Sequence, residues 1–189
     1  MLTLFYSPHM TSIDNEAKRA SGHADVPLSE AGRQLAQELG QHYANKTLDA
    51  VFSSDLQRAL MTSQIAFGDR GLPITPDARL REYDYGEMTQ YPVAQVEQEF
   101  PGRVTKPFPD GESLLMVAQR VGAFLREVGS QYDGKTLVII GHRATRLSLE
   151  YWCGDTSLEE LVHVPWPWLD VPIWQYTLHA HSLERRSTW

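Results

Sequence analysis

Residues 136–146 read Thr136-Leu137-Val138-Ile139-Ile140-Gly141-His142-Arg143-Ala144-Thr145-Arg146. A short, continuous apolar run that ends at a glycine is the pattern of a central strand covered on both faces. Its apolar core, residues 137–140, is far too short to cross a bilayer. Two more runs of this kind stand at residues 2–6 and 50–53, and a last strand is expected at 173–179. Helical patterns lie between them. Leu28, Ala31, Leu35 and Leu39 recur at helical spacing through residues 27–43, with Ser29 as N-cap. Ser54 followed by Gln57 reads as a capping box opening a helix that reaches about Phe67. A long helix is expected from Ser113 to about Tyr132, with Val117, Val121, Phe124, Leu125 and Val128 on one face. A fourth begins near Ala144 and stops at Gly154. Strands alternating with helices need crossover connections. The expected fold is therefore α/β: three layers, a mainly parallel central sheet with helices on both faces.

The 189 residues, 42% of them hydrophobic, suit one domain spanning 1–189 with a full core. Residues 90–111 are richer in Pro and Gly and read as an insertion over one sheet edge. The segment after Val162, with Trp166, Trp168 and Trp174 among three prolines, reads as irregular up to the last strand. Lys and Arg number 17 against 24 Asp and Glu, a formal charge of −7. Nucleic acid is excluded as a partner, because it requires clustered positive charge. An anionic substrate must be held by a local cationic pocket against the overall field. The single cysteine, Cys153, forms no internal disulfide. Residues 1–6 carry neither a basic segment nor a cleavage site, so a cytoplasmic location is expected. Nothing in the sequence sets an oligomeric state.

In open α/β sheets, ligands bind beyond the carboxyl ends of the strands. The segments to read are therefore Ser7-Pro8-His9-Met10-Thr11-Ser12-Ile13-Asp14-Asn15, Ser53-Ser54-Asp55-Leu56-Gln57-Arg58, Arg79-Leu80-Arg81-Glu82-Tyr83-Asp84, and Gly141-His142-Arg143. Two histidines, several arginines and a carboxylate converge on one edge. That set suits phosphoryl transfer. Arginine offers planar bidentate donors to a phosphate dianion. A neutral imidazole can hold the phosphoryl group covalently, and a carboxyl group can protonate the leaving alkoxide. With arginines carrying the countercharge, no metal or other cofactor is required.

Six ordered segments carry a resemblance to the histidine phosphatase superfamily, the phosphoglycerate-mutase-like group, over nearly the whole chain. His9 and Asn15 keep the spacing of the opening motif, with Thr11 and Ser12 in its intervening pair. Gly22-His23 through Gly32 resembles the connection into the first helix, and Ser53–Ala59 the segment bearing a phosphate-binding arginine. Leu80-Arg81-Glu82 with Gly86 resembles the proton-donor segment. Gly111-Glu112-Ser113 is similar to the turn before the long helix, and Val138–His142 to the strand delivering the second histidine. The resemblance implies His9 as the phosphorylated nucleophile, Glu82 as general acid and base, and Arg58 with His142 as the phosphate clamp. Asn15, Ser12 and Arg143 join Arg58 as substrate-binding residues. It implies a cofactor-independent acid phosphatase acting on a small phosphorylated metabolite and releasing inorganic phosphate. A catalytically impaired phosphoryl-binding module and a mutase are the alternatives.

The sequence departs from the pattern at three places. Pro8 stands where the family has its first arginine, Met10 replaces a glycine, and Arg143 follows His142 where glycine is usual. Arg143 is expected to supply the missing guanidinium from the neighbouring strand. Asp84 and Glu87 rival Glu82 as proton donor. Arg143 and Arg146 also read as a solvated helix start, and His23 as a solvent-exposed loop residue. His179 and His181, on one side of the last strand, suggest a metal pair without a third ligand. Trp166 and Trp168 read as sheet cover or as a wall of the pocket.

Overall fold

A computed structural model describes residues 1–167, 171–179 and 183. The chain runs β1 (Leu2–Pro8), α1 (Ile13–Glu16), α2 (Glu30–Tyr43), β2 (Ala50–Ser53), α3 (Gln57–Phe67), β3 (Ile74–Pro76), α4 (Val93–Glu99), α5 (Leu114–Gln131), β4 (Thr136–Gly141), α6 (Arg143–Cys153), α7 (Leu158–Leu161) and β5 (Trp174–Leu178). The sheet order is β3-β2-β4-β1-β5. Every pairing is parallel except β5, which runs antiparallel along β1. The central strand is β4, the run that opened the sequence analysis.

Side-chain alternation in the strands divides the interior into two cores. Leu2, Leu4, Tyr6, Ala50, Phe52, Leu137 and Ile139 face α5 and α6, meeting Val117, Val121, Phe124 and Leu147. Val51, Val138 and Ile140 face α2 and α3, meeting Ala36, Leu39, Tyr43 and Phe67. Period-two strands between two helical layers give the three-layer architecture expected above. Each fully buried Leu, Val or Phe contributes about 1.5–3 kcal/mol relative to exposure. The α5–α6 contact is close because Gly122 admits the Trp152 ring. A Cβ there would sit 2.3 Å from Trp152 Cζ2. The Trp152 indole N–H donates to the Ala118 carbonyl at 2.7 Å, so its polar edge is satisfied.

Helix caps follow the sequence at Ser29 and Ser113, whose hydroxyls accept from Gly32 N and Met116 N. At α3 the reading needs correction. Its N-cap position is Leu56, with no side-chain cap. Ser54 Oγ accepts from Leu56 N instead, and Asp25 Oδ1, arriving from the preceding loop, takes the Gln57 N–H at 2.7 Å. A tertiary partner has displaced the local one. Strand β3 was not anticipated; it is three residues long and ends in a proline, too short for an alternation pattern.

Residues 90–111 are also more structured than expected. They contain α4 and a 3-10 turn, Phe100–Arg103. The segment is laced to residues 18–20 by backbone bonds: Ala20 N to Tyr91 O, Gln90 N to Ala20 O, and Val93 N to Lys18 O. It roofs the carboxyl end of the strands rather than a sheet edge. Of the tail, Trp168 and His181 lie outside the described residues.

Candidate active site

Strand register brings the two histidines together. Pro8 of β1 sits opposite Gly141 of β4, so His9 and His142 each follow one residue beyond the pairing. The His9 N–H continues the ladder to Gly141 O at 2.8 Å. Their rings lie 5.0 Å apart between centroids. His9 Nδ1 lies 2.7 Å from the Met10 carbonyl, which only accepts, so Nδ1 carries the proton and Nε2 the lone pair. Arg58 Nε donates to that Nε2 at 3.2 Å. Burial and the Arg58 charge push the His9 imidazole down to about 3. Near neutral pH it is an uncharged, oriented imidazole. Thr62 Oγ1 accepts from Met10 N and fixes the turn behind it.

Arg58, on the first turn of α3, is 1% exposed. Its Nη1 donates to Ala24 O and its Nη2 to Gly22 O, and Nη2 lies 3.4 Å from His142 Nδ1. No carboxylate is among these partners. A buried guanidinium hydrogen-bonded only to carbonyls and imidazoles, with Glu82, Asp14 and Asp25 acting on it from a distance, keeps a charge complementary to an anion. Because an arginine can only donate, His142 Nδ1 accepts and its proton sits on Nε2. That Nε2 is buried and has no hydrogen-bond partner. Burial and the Arg58 charge hold the His142 imidazole well below the usual range. His142 therefore offers an N–H to a phosphate oxygen without adding charge of its own. Its backbone is fixed by Tyr6, whose hydroxyl donates to His142 O, and by Thr145 Oγ1, which accepts from His142 N.

Glu82 lies across from them, its carboxylate set on the first turn of α6. Oε1 accepts from Tyr83 N and Ala144 N, and Oε2 from Arg143 N. The backbone carrying it is pinned by Arg120 of α5. Arg120 donates to the carbonyls of Arg79, Arg81 and Glu82 and is itself paired with Glu112 at 2.9 Å. His23 Nε2 donates to the Glu82 carbonyl as well, and His23 is half-buried rather than solvent-exposed. Of the three candidate proton donors, Glu82 alone lines the cavity. Asp84 accepts from Gly86 N and faces His23, and Glu87 is exposed.

The cavity, about 310 Å³, is floored by His9, Arg58, Glu82 and His142. Asn15 lines it, its Oδ1 accepting from Ser12 N and Oγ. Ser12 does not reach it: fully buried, its hydroxyl accepts from Asn15 N, and it acts as the cap of α1. Ser12 thus shapes the loop and orients Asn15, which corrects its expected place among the substrate-binding residues. Arg143 is on the wall, but its guanidinium is engaged by other residues of that wall rather than by the histidines. Nη1 donates to Glu97 Oε1 at 2.8 Å, and the group stacks 4.7 Å over the Phe100 ring. It makes no hydrogen bond to either histidine. Arg146 is neither solvated nor on the cavity wall; it pairs with Glu150 and lies against Trp174 and Trp166. Trp166 both packs on Trp174 and lines the cavity. Among the described residues, no group of three or more His, Cys, Asp or Glu is placed to hold a metal ion.

Comparison with known proteins assigns the chain to a family. Residues 9–186 match the model of the histidine phosphatase superfamily, branch 1. The chain belongs to the histidine phosphatase superfamily. Among curated relatives of this histidine phosphatase is phosphoserine phosphatase 1 of Hydrogenobacter thermophilus. It is 31% identical over 150 residues, covering 75% of this chain and 71% of that one. The probable phosphoglycerate mutase GpmB of Citrobacter koseri is 30% identical, covering 75% and 70%. Among solved structures, YhfR of Bacillus stearothermophilus superposes with a TM-score of 0.81 at 28% identity, covering 92% of this chain and 90% of that one. The phosphoglycerate-mutase-like resemblance and the fold class are thereby established.

Several residues of this histidine phosphatase that shape the site were missed in the sequence. Arg120 is one, although its signal is present: it shares the stripe of Val117 and Phe124 on an otherwise apolar helical face. Arg19 and Glu97 line the cavity through chain segments whose approach no local pattern encodes. Thr62 and Tyr6 act only through tertiary hydrogen bonds.

Proposed function

We propose that this histidine phosphatase is a phosphomonoester hydrolase that works through a phosphohistidine at His9 on a small phosphorylated metabolite. The observation that carries this reading is the His9 lone pair at Nε2, held neutral beside a buried arginine with no carboxylate partner. The phosphatase names among its relatives support it. His9 Nε2 attacks phosphorus while the bond from phosphorus to the ester oxygen breaks, and Glu82 passes a proton to the departing alkoxide. Water then attacks the phosphohistidine, Glu82 takes its proton, and inorganic phosphate leaves with His9 restored. Arg58 and the His142 Nε2 proton stabilise the charge on the transferring group. The guanidinium supplies the countercharge, so the reaction needs no metal. A cavity of this size accommodates a small ester.

The test is hydrolysis of p-nitrophenyl phosphate in the acid range, with and without EDTA. The wild type is expected to turn over, unaffected by EDTA, and His9→Ala to fall by at least about 10³-fold. Acid quenching of the wild type is expected to trap a phosphoryl group on His9. Equal rates for the two proteins would overturn the proposal.

A further inference from the structure

The site's charge balance contains a gap. Pro8 offers no donor, and Arg58 commits its Nε and both terminal nitrogens to protein acceptors. Arg143 is a second guanidinium on the same cavity wall, one residue beyond His142, and it is engaged by Glu97 of α4. The rest of its environment restrains it loosely: a 3.4 Å contact to Val164 O and the face of Phe100. The Glu97 side chain is 40% exposed. The Arg143 side chain is 16% exposed, so water reaches this ion pair from its carboxylate side, which weakens it as a restraint. A phosphate dianion carries twice the charge and can accept both parallel N–H groups of the fork.

We infer that Glu97 is a positioning residue that holds Arg143 at the mouth and yields it to the phosphoryl group when a substrate enters. The inference rests on the phosphatase reading and assigns to the same site a tuning residue outside its catalytic set. Glu97 competes with the substrate for one guanidinium, so its charge sets how tightly the site grips phosphate. Replacing it with the neutral isostere removes the competitor and keeps an acceptor of the same shape.

The experiment measures inhibition by orthovanadate, and the KM for p-nitrophenyl phosphate, in wild type, Glu97→Gln, Arg143→Ala and the double variant. Glu97→Gln is expected to bind vanadate about tenfold more tightly, and Arg143→Ala about tenfold more weakly. In the double variant, the gain from Glu97→Gln disappears. Structural damage weakens binding and cannot produce the gain. Unchanged or weaker vanadate binding in Glu97→Gln overturns the inference, and so does a gain that persists without Arg143. A wild type that binds vanadate while Glu97→Gln is indifferent leaves the phosphatase reading standing. A wild type that neither binds vanadate nor turns over overturns both.

Discussion

Arg58 Nε, Nη1 and Nη2 meet an imidazole and two backbone carbonyls, with a second imidazole 3.4 Å from Nη2, and each contact has its own direction. A lysine has the same charge but a single ammonium, which cannot span that set. Arg58→Lys is therefore expected to lose about 10²–10³ in p-nitrophenyl phosphate turnover while keeping its fold by circular dichroism. A loss under threefold would show that charge alone suffices. His9, Arg58 and His142 were legible because each follows a strand or opens a helix at a set spacing, whereas Glu82 was singled out from Asp84 and Glu87 by the resemblance of Leu80-Arg81-Glu82 to a donor segment. Ser12 illustrates the limit of that reading. A serine beside a nucleophile is compatible with a substrate contact or a cap, and only the Asn15 hydrogen bonds distinguish them. Arg143 illustrates it again, since an arginine side chain is long enough to be claimed by a partner the local sequence does not contain.

At the scale of elements, the histidine loop is held from behind by helix α2. Gly32 lies so close to it that a Cβ would stand 1.9 Å from the Thr11 carbonyl oxygen. Ser29 completes the contact, its N–H donating to the same oxygen at 3.0 Å. Gly32→Ala must displace the backbone between His9 and Ser12. We expect it to lower stability by about 1–3 kcal/mol in urea unfolding and turnover by about tenfold or more. Unchanged turnover with reduced stability would mean that the loop relaxes without moving His9. The elements themselves were readable wherever a periodic pattern ran for several residues, as in β4, α2 and α5. Strand β3 and helix α4 were not, because three residues contain no period and α4 follows a proline with no side-chain cap. The α3 start was misplaced for a different reason: Asp25 reaches Gln57 across 32 positions of sequence, beyond any local rule.

For the whole molecule, the formal charge of −7 and the buried cationic site oppose one another. Both histidines stay neutral in the fold, His9 down to about 3, whereas unfolded imidazoles protonate below about 6.5. Between those limits the unfolded chain binds more protons than the folded one. Stability must therefore fall as pH drops from about 6.5 towards 3. The melting temperature of the wild type is expected to decline more steeply between pH 7 and 4.5 than that of His9→Ala. Inorganic phosphate at 100 times its dissociation constant should add about 2.7 kcal/mol, a rise of roughly 5–10 °C. Parallel pH slopes, or no shift with phosphate, would contradict this.

The lacing between residues 18–20 and 90–93 has an evolutionary consequence. It ties the roof to residues 18–20, while Ala20, Val96 and Phe100 anchor it in the core shared with the sheet. The exposed positions of helix α4, Ala94, Gln95 and Gln98, can drift in sequence without altering the strand ends where His9 and His142 stand. On the phosphatase reading proposed above, changes at Val93 and Glu97, which line the cavity from this helix, are expected to alter which ester fits while the strand ends stay as they are.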